Sequence, residues 1–156
     1  MDTANTNCVD TAYDKVLCKS SADITGLQET RLRTQHAVGA PKRHLRDSGW
    51  SAHLSLAKTT KADKGSGGCA VVARKGLGIA AAGEELVADT FQHRLATAHV
   101  NAVVPGGLHI ISIYRKDSDG LSEYNLRVLQ EAAALARTLG GPWIMAGEWN
   151  VEPCKI

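Results

Sequence analysis

Two short segments carry residue types that could do chemistry. Trp143-Ile144-Met145-Ala146 is an apolar run that leads into Gly147-Glu148-Trp149-Asn150-Val151-Glu152-Pro153. A strand here delivers a carboxylate and a carboxamide, two positions apart, to one side of its C-terminal tip. Such a pair suits a hard divalent cation or a phosphate-bound water. Leu27-Gln28-Glu29-Thr30 places a second carboxylate at another strand end. Two acids at two strand ends are a minimal hard-cation site, although either alone also describes an ordinary solvated terminus. Arg31, Arg33, Lys42, Arg43 and Arg46 follow Glu29 with no acid among them, which suits a polyanion held by its backbone.

The elements that must position these groups follow from periodicity. A short strand over 2–8 precedes a short helix carrying Val16 and Leu17 on its apolar side. Residues 22–28 read as a strand. The stretch 31–66 is polar and basic, with Gly39, Pro41 and Gly49, and is expected to be mostly loop with a short helix near 42–47. Gly67-Gly68 introduces a strand over 69–74, and Lys75-Gly76 predicts a hairpin returning over 77–81. Segments 94–100 and 108–114 alternate as a meander around Pro105-Gly106-Gly107. Residues 121–139 carry an apolar stripe at helical spacing, with Ser122 as N-cap and Gly140-Gly141-Pro142 as terminator. A buried strand over 143–146 closes a mixed α/β order.

At 156 residues the chain is one domain with room for a core, 44% hydrophobic but only 4% aromatic. Net charge is +2, so only the local asymmetry is informative. Cys8, Cys18, Cys69 and Cys154 show no zinc spacing and suit a reducing compartment. No apolar run approaches the roughly 20 residues of a membrane span, so no membrane partner is expected.

Ala22-Asp23-Ile24-Thr25-Gly26-Leu27-Gln28-Glu29-Thr30, Gly49-Trp50, Gly65-Ser66-Gly67-Gly68-Cys69-Ala70-Val71, Ile111-Ser112-Ile113-Tyr114 and Gly147-Glu148-Trp149-Asn150-Val151-Glu152-Pro153 resemble, in order and spacing, motifs of the endonuclease/exonuclease/phosphatase superfamily. The style is nearest to non-LTR retrotransposon endonuclease domains. The resemblance implies a four-layer α/β sandwich with a mixed, mostly antiparallel sheet and flanking helices, of which residues 1–156 are the N-terminal half. It implies phosphodiester hydrolysis with Mg²⁺ (or Mn²⁺) on a nucleic acid, DNA foremost. By position, Glu29 and Asn5 are metal ligands, with Asn7 as a rival to Asn5. Tyr114 bonds the scissile phosphate, Glu148 orients or deprotonates water, and Asn150 contacts phosphate and water.

Two departures shape the expectation. The family has Asp where this chain has Glu148, and the added methylene displaces the carboxylate by about 1.5 Å, against a tolerance near 0.5 Å. The family's C-terminal half, with a further Asp and an Asp–His pair, has no counterpart here. The expected fold is one sheet with its outer helices, its inner face uncovered and open to self-association. The expectations are an endonuclease impaired as a fragment, a non-catalytic nucleic-acid-binding remnant, or a truncated product without function of its own.

Overall fold

The computed structural model describes residues 1–116 and 120–150. In chain order the elements are β1 (Asp2–Asn5), β2 (Ile24–Gln28), α1 (Gln35–Asp47), β3 (Trp50–Leu54), β4 (Lys58–Thr59), β5 (Gly65–Ser66), β6 (Cys69–Arg74), β7 (Ile79–Ala81), β8 (Leu95–Val100), β9 (Leu108–Tyr114), α2 (Glu123–Leu139) and β10 (Trp143–Glu148). The helix expected after β1 is instead a 3₁₀ turn at Val9–Thr11 and a π turn at Tyr13–Leu17.

Two four-stranded sheets form, ordered β1-β2-β6-β3 and β10-β9-β8-β7. Each has one parallel edge pair, β1 with β2 and β10 with β9; the remaining pairs are antiparallel. Side-chain alternation assigns the layers. On β6, Cys69, Val71 and Ala73 face the second sheet, where they meet Ala96, Ala98 and Val100 of β8 and Ile110 of β9. Ala70 and Val72 face the other way, onto Val38 and Leu45 of α1. Ile111 and Ile113 of β9 pack beneath Val128, Ala132, Leu135 and Ala136 of α2. The result is helix, sheet, sheet, helix. The expectation of a single sheet with an uncovered inner face is therefore corrected: Val71, Val100 and Ile110 are fully buried between the sheets.

Three local expectations also change. The basic stretch is not mostly loop. Thr34 Oγ1 caps α1 by accepting from Ala37 N (3.2 Å), and Val38, Pro41 and Leu45 form its buried stripe. Burial against β3 outweighs the poor helix propensity of Gly39 and Pro41. The segments 69–74 and 77–81 do not pair as a hairpin. Strand β6 is already hydrogen-bonded on both sides by β2 and β3, so the chain crosses to the other sheet and β7 pairs with β8. Strand β10 is not buried: it is an edge, paired with β9, and Trp143 and Ile144 are 49% and 42% exposed. Among the described residues no helix is long and apolar enough to cross a membrane.

Candidate functional site

The parallel pairs bring four strand ends together. Asn5 ends β1, Glu29 follows β2, Tyr114 ends β9 and Glu148 ends β10. The register sets Asn5 beside Gln28 and Glu148 beside Tyr114. Side chains then join the two sheets. Asn5 Nδ2 donates to Glu148 Oε2 (2.5 Å), and the Tyr114 hydroxyl donates to Glu29 Oε1 (2.5 Å). Arg31 Nη2 donates to Glu29 Oε2 (3.1 Å) and to Asn7 Oδ1 (3.1 Å). Asn7 N donates to Asn5 Oδ1 (3.0 Å), so of the two rival asparagines Asn5 meets Glu148 and Asn7 meets Arg31.

The backbone here is constrained. Glu29, Arg31, Asn7 and Asn150 all have positive φ, between 49° and 58°. Glu and Arg do not adopt this region without cost, and such residues concentrate at functional sites. Gly67 and Gly68 hold the Glu29 turn, because their carbonyls accept from Arg31 N (3.1 Å) and Thr30 N (3.0 Å). A Cβ on Gly68 would lie within contact distance of Thr30 Oγ1, so glycine is required there. Gly147 has an equally local reason. A Cβ at that position would overlap Ile113 O, so only glycine lets β10 lie against β9 and present Glu148.

Beneath the cluster a buried polar bridge ties the sheets. Thr3 Oγ1 donates to Gln28 Oε1 (3.1 Å), Gln28 Nε2 donates to Ser112 Oγ (2.9 Å), and Ser112 Oγ donates to Leu27 O (3.2 Å). Gln28 was visible only as part of a motif, and Ser112 as one more residue of a strand. Arg94, at the head of β8, was not singled out at all. Its guanidinium lies 4.8 Å from the Tyr114 ring centroid. Burial, then the hydrogen bond and charge of Glu29, push the Tyr114 phenol well above its ordinary range, while Arg94 opposes the shift. The hydroxyl therefore keeps its proton and acts as a donor.

Asn150 turns inward, its Nδ2 donating to Arg115 O (2.7 Å). The basic residues separate. Arg31 is half exposed beside Glu29, whereas Arg33 is tied to Asp63 Oδ1 (2.5 Å). Lys42, Arg43 and Arg46 lie on the later half of α1 around Trp50. Trp50 starts β3, a strand length, about 16 Å, from the Glu29 end of the sheet. Trp50 itself is fully buried under Arg74 (4.1 Å). His99 and His109 form a cross-strand pair with ring centroids 4.8 Å apart, away from the cluster.

Among the described residues no three His, Cys, Asp or Glu side chains converge as a metal cage. The donor set that does converge is oxygen-rich: the carboxylates of Glu29 and Glu148 with the amide of Asn5. That composition fits Mg²⁺, which takes one or two carboxylates and fills the rest with water and phosphate oxygens.

The family model described as the Endonuclease/Exonuclease/phosphatase family matches residues 3–156. No curated protein matches the chain significantly. Among solved structures, ANGEL2, a 2′,3′-cyclic phosphatase crystallised with adenosine-2′,3′-vanadate, is similar at 14% identity and TM-score 0.54, covering 94% of this chain and 44% of that one. A humanized D. rerio TDP2 carrying 14 mutations is similar at 14% identity and TM-score 0.54, covering 98% and 62%. The chain spans less than two thirds of either structure. At this identity the likeness concerns the fold, and that fold is part of theirs. The family match, in contrast, runs through every strand and both helices, and on that ground the chain belongs to the endonuclease/exonuclease/phosphatase family.

Proposed function

We propose that the chain carries the site of a metal-dependent phosphodiester hydrolase acting on nucleic acid, DNA in particular, in the manner of a retrotransposon-type endonuclease. The observation that supports this most is the cross-sheet pairing of Asn5 with Glu148 and of Tyr114 with Glu29 at four converging strand ends. Glu29 and Asn5 would hold Mg²⁺ or Mn²⁺. When bound, the cation supplies charge neutralisation at the phosphate oxygens.

The chain's own residues do the rest. Glu148, held by the Asn5 amide, is placed to orient a water or take its proton. The protonated Tyr114 hydroxyl donates to a phosphate oxygen once that oxygen displaces the Glu29 contact. Asn150, anchored on Arg115 O, leaves its own carbonyl oxygen as an acceptor toward water. Arg31 offers a half-exposed cation to the phosphate backbone. The 2′,3′-cyclic phosphatase among the structural neighbours supports phosphoester chemistry as the class.

A second reading is a non-catalytic nucleic-acid-binding remnant. It is favoured by Glu29, whose two carboxylate oxygens are already taken by Tyr114 and Arg31. Incubation with supercoiled plasmid and Mg²⁺ separates the two. Nicking that disappears in Glu29→Ala supports the hydrolase. DNA binding without nicking, unchanged in Glu29→Ala, supports the remnant and refutes the hydrolase.

A further inference from the structure

We propose that His99 and His109 form a second cation site, separate from the strand-end cluster, that takes a borderline transition-metal ion such as Zn²⁺ between two imidazoles. The proposal does not rest on the hydrolase reading. The pair sits toward the opposite end of the second sheet, with His109 about 17 Å along β9 from Tyr114.

Register brings the rings together. His99 of β8 and His109 of β9 are direct antiparallel partners, so both side chains leave the same face of the sheet. Both strands are also held on their outer sides, His99 opposite Ala80 of β7 and His109 opposite Trp143 of β10. His109 N donates to Pro142 O (3.0 Å). The backbone under the pair is therefore fixed. The ring centroids lie 4.8 Å apart, with the planes 52° from parallel. Two imidazole nitrogens on one tetrahedral Zn²⁺ stand about 3.3 Å apart. Rings at this separation reach that spacing by rotation about χ2, which is soft for histidine.

The nitrogens are already sorted. His99 Nε2 lies 3.1 Å from Gly106 O. A carbonyl oxygen only accepts, so Nε2 carries the proton and Nδ1 keeps its lone pair. Metal-binding histidines show the same arrangement, with the outer N–H given to a backbone carbonyl. The Pro105-Gly106-Gly107 turn creates it: Gly107 has φ +81°, and a Cβ there would overlap the His99 ring, so only glycine lets the turn close over the imidazole. His109 Nδ1 is buried and has no hydrogen-bond partner among the described residues. Such a nitrogen is costly to leave alone, and an ion between the rings would satisfy it. Desolvation first, then His99, lowers the His109 pKa, so its ring is neutral at neutral pH and free to ligate. No third His, Cys, Asp or Glu joins the pair among the described residues, so water completes the shell. Two imidazoles suit Zn²⁺, Ni²⁺ or Cu²⁺, whereas Mg²⁺ and Mn²⁺ prefer the oxygen donors at the strand ends. A bound ion would tie the turn over 101–107 to the β8–β9 ladder.

The test records long-range ¹H–¹⁵N correlations of the histidine rings of the whole chain while Zn²⁺ is added in excess Mg²⁺. The His99 and His109 rings should shift together, saturate at one ion per chain, and do so ahead of His36, His44, His53 and His93. His99→Gln and His109→Gln, both at half-buried positions, should each weaken Zn²⁺ binding more than about tenfold and abolish the rise in urea midpoint that Zn²⁺ gives the parent. His36→Gln, at an exposed position of α1, should change neither. The parent titration needs no variant to fold, because each ring reports for itself. Zn²⁺ that moves other rings first, moves only one of the pair, or is displaced by Mg²⁺ overturns the site. So does equal Zn²⁺ affinity in His109→Gln and the parent. Glu29→Ala should bind Zn²⁺ at the pair as the parent does, so plasmid nicking can fail while this site stands, and the reverse. Loss of the His99 and His109 shifts in Glu29→Ala would place the ion at the strand ends and refute the second site.

Discussion

Gly147→Ala is the most discriminating substitution this structure offers. The added methyl would overlap Ile113 O and sit 2.8 Å from both Ile113 C and Cγ2. A carbon cannot approach a carbonyl oxygen so closely, and β10 must move off β9 by about 1.2 Å to relieve it. Ladder hydrogen bonds around Gly147 and Glu148 break, together with the bond from Arg115 N to Glu148 O (3.1 Å). At about 1 kcal/mol each, two to four lost bonds destabilise the fold by about 2–4 kcal/mol. The same movement exceeds by more than twofold the placement of about 0.5 Å that a catalytic group tolerates, so any cleavage should fall about 10²-fold. Urea unfolding followed by circular dichroism measures the first effect. Gly39→Ala is the control: nothing lies within 4 Å of its Cβ position, it sits inside α1 at ordinary φ, and it should stabilise by about 0.5–1 kcal/mol. A Gly147→Ala variant within 0.5 kcal/mol of the parent would mean that β10 is not held against β9, and the positioning of Glu148 would fail with it.

Other outcomes follow from the same geometry. Glu148→Asp withdraws the carboxylate by about 1.5 Å and should raise plasmid cleavage, by up to about 10²-fold if the longer side chain is what impairs the site; an unchanged or lower rate would show that β10 is adapted to Glu. Tyr114→Phe removes a donor that the raised phenol pKa keeps protonated, and single-turnover cleavage should fall about 10²-fold with little change in the urea midpoint. His93 titrates near 4 when folded and near 6.5 when unfolded, so the unfolded chain binds the extra proton between those values. Stability should therefore be intact above about pH 6.5 and decline as pH falls toward 4, by up to about 3 kcal/mol, a slope that His93→Gln should flatten in urea melts at stepped pH.

Much of the scaffold was legible because its cues are local. The stripe of Val128, Ala132, Leu135 and Ala136 fits only a helix lying on a sheet, and Ser122 accepts from Asn125 N (3.3 Å) as its cap. The alternation of β8 and β9 fits only strands. Glu29 and Glu148 stood out because each follows an apolar strand, and parallel pairing carries both to one end of the sandwich. The misses depend on long-range contacts. Nothing local in a segment with Gly39, Pro41 and several charges announces α1; its stripe exists because β3 lies underneath. The missing β6–β7 hairpin depends on β6 being central, which no turn signal reports. The exposure of Trp143 and Ile144 depends on β10 being an edge, and an apolar run reads alike at an edge or in the middle. Arg94 has no signature as a lone arginine before a strand. Its meaning comes from Tyr114 and Tyr124, which are distant in sequence.

The proposal places a hard cation on Glu29 and Asn5, with Tyr114 and Glu148 brought beside it from the other sheet. Mn²⁺ titration of the protein, followed by electron paramagnetic resonance, measures this. One saturable Mn²⁺ site that is lost in Glu29→Ala and kept in Lys42→Gln, on the far part of α1, is the predicted result. An isotherm in which Glu29→Ala binds Mn²⁺ as the parent does would contradict it.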